Sequence, residues 1–318
     1  MSRPTFQQLT YLVTLADEGH FGRAAECCHV SQPALSSQIQ ELERRLGSTL
    51  VERLSKGVHL TSTGIDVVAR ARLILSGLDE LVDAAECDGS AITGSLVVGA
   101  IPTAAPYILS DFVTAARDLH PGASLRFVEL RTDELLVALR TGQIDLGICA
   151  LPVVGSDLIA AHVLDDEFLL AVSTTSSLAE GSGPLPLSIL DKLNVLLLTE
   201  GHCLRDQALA VCSNVRSQST DLRATSLHTL VQMVAADVGV TLLPATAGAV
   251  EARVGNGIVL RQFLKPPKRE LTLVWRASSP RGARYQTLAD SFAIALERQS
   301  ERPSHEQPFA HVEGTCRV

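Results

Sequence analysis

The sequence predicts an α+β chain: a small helical head with a two-stranded ribbon, one long connecting helix, and an α/β body in two subdomains. Three observations carry this. Short helical stripes separated by tight turns fill the first sixty residues. One apolar pattern then runs from Thr63 to about Cys87. Beyond residue 95, strand-like apolar runs alternate with helical patterns, and such βαβ alternation implies parallel strands with covered faces. At 318 residues the chain is long enough for two or three units.

The head opens with a stripe of Phe6, Leu9, Leu12, Val13 and Ala16, spaced for one helix face. A short helix follows over Gly22–Cys28. In His29-Val30-Ser31-Gln32-Pro33, Ser31 is placed to cap a third helix and Pro33 sits in its first turn. That helix runs to about Leu46 and stops at Gly47. Leu50–Leu60 reads as a two-stranded wing turning at Lys56-Gly57. Helix, tight turn, helix and wing make a winged helix-turn-helix, whose second helix enters the DNA major groove. Ser31, Gln32, Pro33, Ser36, Ser37 and Gln38 open that helix, and its Gln and Ser side chains are short neutral donors and acceptors that suit base edges. Arg53 and Lys56 on the wing suit phosphate or the minor groove. The plain alternative is a solvated polar helix face.

Thr61 or Ser62 can cap the long helix. Val68, Leu75 and Val82 fall seven apart, as do Ala71, Leu78 and Ala85, which gives a and d positions over three heptads. This seam either lies on the chain's own domain or pairs two chains. Pairing is the better reading, because the segment sits between domains. Asp88–Ser95, with Gly89, Ser90 and Gly94, reads as a hinge. Strands are expected at Leu96–Ile101, Leu125–Leu130, Ile144–Ala150, Phe168–Ser173, Val195–Thr199, Val240–Leu243 and Leu271–Arg276. Helices are expected from Ala105, through Leu135–Arg140, after Cys203, over Ser226–Ala236 and over Ala283–Leu296. The domains are then 1–61 for the head, 62–88 for the connecting helix, 89–94 for the hinge, 95–165 with 269–298 for one subdomain and 166–268 for the other. Residues 299–318 form a polar tail expected to be disordered.

Apolar residues make up 46% and charged residues 19%, a globular balance. The formal charge is −8, yet residues 1–60 hold six basic and six acidic side chains. The negative excess therefore belongs to the body, and the head is locally neutral, with Arg44, Arg45, Arg53 and Lys56 against Glu52 near the wing. No apolar run is long enough to span a membrane, and the N-terminus has no signal-peptide block, so the cytoplasm is expected. The seven cysteines at 27, 28, 87, 149, 203, 212 and 316 form no CxxC pair. Taken singly, each reads as a small buried hydrophobe. The nine histidines form no HxH or HExxH set, so no metal or cofactor is expected.

Phe21-Gly22-Arg23-Ala24-Ala25, Val30-Ser31-Gln32-Pro33-Ala34-Leu35-Ser36, Glu41-Leu42-Glu43, Leu50-Val51-Glu52-Arg53 and Leu60-Thr61-Ser62-Thr63-Gly64 stand in register over about sixty residues. This head resembles the LysR family of transcriptional regulators. The resemblance implies double-stranded promoter DNA as a partner, an effector module folded like a periplasmic binding protein, and a homotetramer built as a dimer of dimers. RNA polymerase is a candidate further partner.

A second stretch is more specific. Leu198-Thr199-Glu200-Gly201-His202-Cys203-Leu204-Arg205-Asp206-Gln207-Ala208, followed by Cys212, resembles the redox segment of the family's hydrogen-peroxide-sensing branch. Arg223-Ala224-Thr225-Ser226-Leu227, Thr241-Leu242-Leu243-Pro244-Ala245 and Ile101-Pro102-Thr103 with Pro106-Tyr107 extend the likeness. It implies that Cys203 reacts with peroxide, that Cys212 resolves the product to a disulfide, and that Thr103, Thr132, His202 and Arg269 activate the peroxide. Antioxidant genes are the implied targets. Physical chemistry agrees for Cys203. A cysteine at a helix start, with His202 and Arg205 adjacent in sequence, has a stabilised thiolate. If one helix joins Cys203 to Cys212, nine residues give a rise of roughly 13.5 Å. A disulfide needs Cα atoms roughly 4.4–6.8 Å apart, so the segment must remodel before the bond forms. Two competing readings remain open: a regulator answering to a small metabolite between the subdomains, and a thiol peroxidase enzyme. The DNA-reading head argues against the second.

Overall fold

The computed structural model describes residues 3–54, 57–85, 91–150, 153, 155–181, 183–211, 224–253 and 255–300. Lys56, Cys87, Cys212, Cys316, residues 88–90 of the expected hinge and residues 301–318 of the expected tail lie outside them, as do the side chains of Arg53 and Ala85.

The head is built from α1 (Phe6–Glu18), α2 (Phe21–Cys27) and α3 (Gln32–Leu46), followed by the antiparallel wing β1 (Val51–Leu54) and β2 (Gly57–Leu60). Local chemistry sets each boundary. Thr5 and Gln8 form a reciprocal capping box at the start of α1, and Gly19 closes it in the left-handed region. Ser31 Oγ accepts the Ala34 N–H at the start of α3, and Gly47 ends it at φ 69°. Glu43 Oε1 accepts the backbone N–H groups of Leu50 and Val51 at 2.8 and 3.1 Å, which fixes where the wing begins. Leu12, Leu15, Leu35, Ile39, Leu42 and Leu50 are fully enclosed between the helices and the wing.

The connecting helix α4 (Ser62–Ala85) starts under a Thr61 cap. A Cβ at Gly64 would overlap the Leu50 carbonyl, so the helix can leave the wing this closely only from a glycine. The seam read from the sequence is split. Val68 and Ala71 are buried within their own chain, and Val68 belongs to the core of the head. The reason is that α4 packs along α1 for its first turns, so the head uses these apolar positions itself. Beyond them the helix leaves the head. Ile74, Leu81 and Val82 are 48, 66 and 49% exposed, and Leu75 and Leu78 are half-buried.

The body begins with β3 (Gly94–Ala100), α5 (Ala105–Leu119), β4 (Ala123–Glu129), α6 (Thr132–Arg140) and β5 (Leu146–Ala150). The order β4-β3-β5 is parallel, as the alternation requires. β6 (Leu158–Ser173) is far longer than the Phe168–Ser173 run expected. Its first half, Leu158–Glu167, carries His162, Asp165 and Asp166 after the short apolar run Leu158–Ala161 and was not expected as a strand. After α7 (Cys203–Val211) and α8 (Leu227–Ala235) come β7 (Thr241–Pro244), α9 (Ala245–Glu251), β8 (Ile258–Arg261), β9 (Lys268–Arg276) and α10 (Gly282–Ser300). The expected strand at Val195–Thr199 is realised only as isolated bridges, Val195 to Val240 and Leu198 to Ala224.

Strands β6 and β9 join the two subdomains. β9 pairs antiparallel with β5 on one side and with the first half of β6 on the other. The second half of β6 pairs with β7 and β8. β9, which contains the expected Leu271–Arg276 strand, thus lies beside β5 of the parallel unit. Helix α9 reaches back across the boundary: buried Glu251 at its end accepts the Tyr107 hydroxyl of α5 at 2.8 Å. No described helix is long and apolar enough to cross a membrane.

Candidate functional site

In the head, Ser31, Gln32, Pro33 and Ser37 stand exposed on the first turns of α3, with Ser36 half-buried beside them. Gln38 is exposed too, but its Oε1 accepts a hydrogen bond at 3.1 Å from the buried Gln8. That bond fixes the amide and leaves its NH₂ group outward. Arg44 and Arg45 both pair with Glu41, whose carboxyl their hydrogen bonds hold down at about 2. The basic excess counted near the wing is thus partly spent within α3. Arg53 lies on β1.

In the body, the turn after β3, the start of α6 and the start of α7 converge. Cys203 is the first residue of α7 and Thr132 the first of α6. Together with Ile101, Pro102, Thr103, Arg131, Gly201 and His202 they line a narrow crevice with about 150 Å³ of empty space. Gly201 has φ +90°, a backbone position that only glycine holds without strain, and it turns the chain so that His202 and Cys203 face inward. Cys203 also borders a wider open cleft with Asp133, Asp206 and Gln207, which leaves its sulfur half-buried and reachable.

Two polar atoms of the crevice have no hydrogen-bond partner among the described residues: His202 Nε2 and Thr132 Oγ1. Buried polar atoms are rarely left so, and both are open to hydrogen bonding by a small polar molecule in the crevice. His202 is only 6% exposed. Burial pushes its pKa down, the Arg131 cation adds to this, and a hydrogen bond with the Thr225 backbone opposes both. A bond that favours the protonated ring is one the ring donates. The proton therefore sits on the other nitrogen, and Nε2 presents a lone pair.

Thr103 is 2% exposed and is held from behind. Arg269 Nη1 donates to its hydroxyl and Nη2 to its carbonyl, both at 3.2 Å. The structure thus brings Thr103, Thr132 and His202 to the crevice, with Arg269 behind Thr103. Arg269 does not line the crevice. Its guanidinium is fully enclosed, bound to Asp166 at 2.8 Å, and it reaches the site only through Thr103. Arg205 also departs from expectation. It pairs with Glu200 at 3.5 Å rather than facing the thiol, and Arg131 supplies the cation beside His202. Sequence reading gave no site role to Arg131, whose only signal was adjacency to Thr132, or to Pro102 and Gly201, which stood inside the quoted motifs.

Cys212 lies outside the described residues. Cys149 is enclosed on β5, where burial pushes its thiol up to about 12, so it is a protonated and inert packing group. Cys28 packs partly against the head core, and Cys27 is exposed with its sulfur 3.8 Å from Glu18. Among the described residues no cluster of histidine, cysteine and carboxylates could hold a metal ion.

Residues 6–65 match the family described as bacterial regulatory helix-turn-helix protein, lysR family, and residues 89–296 match the LysR substrate binding domain. The chain belongs to the LysR family. Within it, the DNA-binding transcriptional dual regulator OxyR of Escherichia coli K12 is 39% identical over 293 residues, covering 92% of this chain and 95% of its own length. A full-length cysteine-to-aspartate variant of OxyR from Pseudomonas aeruginosa superposes with a TM-score of 0.79 at 34% identity, covering 92% of this chain and 96% of that one. A cysteine-to-serine variant of OxyR from Corynebacterium glutamicum, with hydrogen peroxide bound, does so with a TM-score of 0.64 at 33% identity, covering 93 and 94%. In LysR terms the head is the helix-turn-helix unit and the crevice lies within the substrate-binding domain.

Proposed function

We propose that this LysR-family chain is a cytoplasmic, peroxide-sensing regulator of transcription. Cys203 is its reactive thiol and the crevice its peroxide site. The observation that carries this reading is the pair of unpartnered buried groups, His202 Nε2 and Thr132 Oγ1, in the narrow crevice beside that sulfur. Hydrogen peroxide is small, and it both donates and accepts hydrogen bonds.

The Nε2 lone pair accepts one peroxide O–H and orients the molecule. The Cys203 thiolate attacks the nearer oxygen, so an S–O bond forms and the O–O bond breaks. Sulfur is oxidised by two electrons. Hydroxide leaves, stabilised by the Thr103 and Thr132 hydroxyls where charge develops, and takes up a proton as water. Cys212 thiolate then attacks the sulfenic sulfur. The disulfide forms and a second hydroxide leaves as water. Helix α7 starts at Cys203, so a bond to Cys212 requires that helix to unwind, and the subdomain surface changes with it.

Mass mapping of thiols after one equivalent of hydrogen peroxide tests the assignment. The Cys203–Cys212 disulfide is expected in the wild type. In Cys212→Ser a sulfenate-specific probe should label Cys203 far more strongly, since nothing nearby resolves the product. Equal labelling of both proteins would remove Cys212 from the scheme. Turnover with excess reductant separates sensor from enzyme: a sensor reacts about once per reduction.

Helix α3 is the base-reading element of this proposal. Gln32→Ala should cost roughly 1–3 kcal/mol on the specific site and little on random DNA. Arg53→Ala should weaken binding to every sequence and reduce the salt slope by about one. Binding isotherms at several salt concentrations distinguish the two patterns. Equal losses on specific and random DNA for Gln32→Ala would mean that α3 does not read bases. The exposed stripe of α4 pairs the chain with a second copy in this scheme, giving two reading helices for two half-sites.

A further inference from the structure

Asp166 stands opposite Arg269 in the β6–β9 ladder, where both strands pass from one subdomain to the other. Its carboxylate is fully enclosed. Oδ2 accepts from Arg269 Nε at 3.1 Å, from Arg269 Nη2 at 2.8 Å and from the Thr246 hydroxyl at 2.7 Å. Oδ1 accepts from the Thr246 backbone N–H at 3.1 Å. Arg269 has five N–H groups in a rigid fork. Those not spent on Asp166 reach the Thr103 hydroxyl and carbonyl. A hydroxyl that accepts from a guanidinium must send its own hydrogen elsewhere, and the Thr103 side chain borders the crevice beside Cys203.

We propose that Asp166 is a positioning residue for peroxide reduction. By fixing Arg269 it makes Thr103 an obligate donor toward the oxygen that leaves when the O–O bond breaks. Thr246 lies in the first turn of α9, so the same carboxylate ties this setting to a helix whose far end is fastened to α5 through Glu251 and Tyr107. The proposal rests on the peroxide reading of the crevice. Neither Asp166 nor Thr246 touches the reacting atoms. Their effect is confined to steps in which an oxygen leaves and needs a donor.

Two reagents separate positioning from folding. The full-length chain is treated with hydrogen peroxide, or with iodoacetamide, and the rate at Cys203 is read by quenched peptide mapping. Iodoacetamide alkylation expels iodide and needs no donor at an oxygen, so it reports the exposure and nucleophilicity of the thiol alone. Asp166→Asn is expected to slow peroxide by about tenfold or more, while alkylation stays within about twofold. Thr103→Val should do the same, and the double variant should be no slower than either single one. Thr246→Val leaves the ion pair intact and should slow peroxide alone by about three- to fivefold; it decides the matter if Asp166→Asn does not fold. Peroxide rates within about twofold of wild type, equal slowing with both reagents, or multiplying losses in the double variant would each overturn the role of Asp166. With Thr103→Val still slow, those outcomes leave the peroxide reading standing. If Thr103→Val reacts normally and Cys203 is not the thiol oxidised, that reading fails and the role of Asp166 with it.

Discussion

Replacing Cys203 with serine is expected to give a chain that binds its DNA site as the reduced wild type does and ignores peroxide completely. Serine is nearly isosteric, and the side chain is half-buried at a helix start, so the fold should hold. The hydroxyl lacks the polarisable thiolate that attacks an O–O bond, and no other described cysteine replaces it. Cys149 is enclosed and protonated, and Cys27 and Cys28 lie in the head. Footprints taken before and after one equivalent of peroxide should be superimposable in the variant and different in the wild type. A footprint that still switches in Cys203→Ser would sink the sensor assignment.

A second large effect is expected on α4. Ile74→Glu combined with Leu81→Glu places two carboxylates in the exposed stripe while touching little of the chain's own core. Each chain should therefore keep its fold and its peroxide-reactive Cys203. Burying those charges against a partner helix would be costly, so monomers are expected in sedimentation. Loss of simultaneous engagement of two half-sites should weaken specific DNA binding by on the order of a hundredfold. A double variant that sediments as wild type and binds normally would make the stripe an ordinary solvent face. Val68 and Ala71 are poor choices for this test, since changing them would damage the head itself.

Much of the head was legible, because caps and glycine stops are local signals: Ser31 and Thr61 begin helices and Gly47 ends one, while the Thr5 cap and the Gly19 stop of α1 went unread. The parallel unit β4-β3-β5 was legible from its alternation. What failed were elements defined by partners distant in sequence. The first half of β6 is a strand because β9 pairs with it more than a hundred residues later, and its apolar run Leu158–Ala161, broken by His162 and followed by Asp165 and Asp166, went unread. Helix α9 and β8 went unread for the same reason. Within the site, the segment around Cys203 and the positions of Thr103, Thr132 and His202 were readable as a resemblance. The direction of their hydrogen bonds was not. Arg205 is adjacent to the thiol in sequence yet turns to Glu200, while Arg131 and Asp166 act from other elements. Charge in a sequence shows that a cation exists, and only the fold shows which acceptor it serves.

The paired course of β6 and β9 limits how the two halves of the body can move. A clamshell hinges on loops, and its lobes swing by turning a few soft dihedrals. Here nine residues of β9 are laddered to β6 across the boundary, with one register shift between His162 and Leu164. Wide swinging would tear out backbone bonds that have no replacement partner inside a covered sheet. The sheet behaves as a stiff spine, and the cheap deformations lie in what is attached to its rim: the α7 segment and the short helix bolted across from it. A signal entering at Cys203 would then travel outward as a change of surface shape at constant lobe angle, unlike the closing jaws that an effector module of this ancestry suggests.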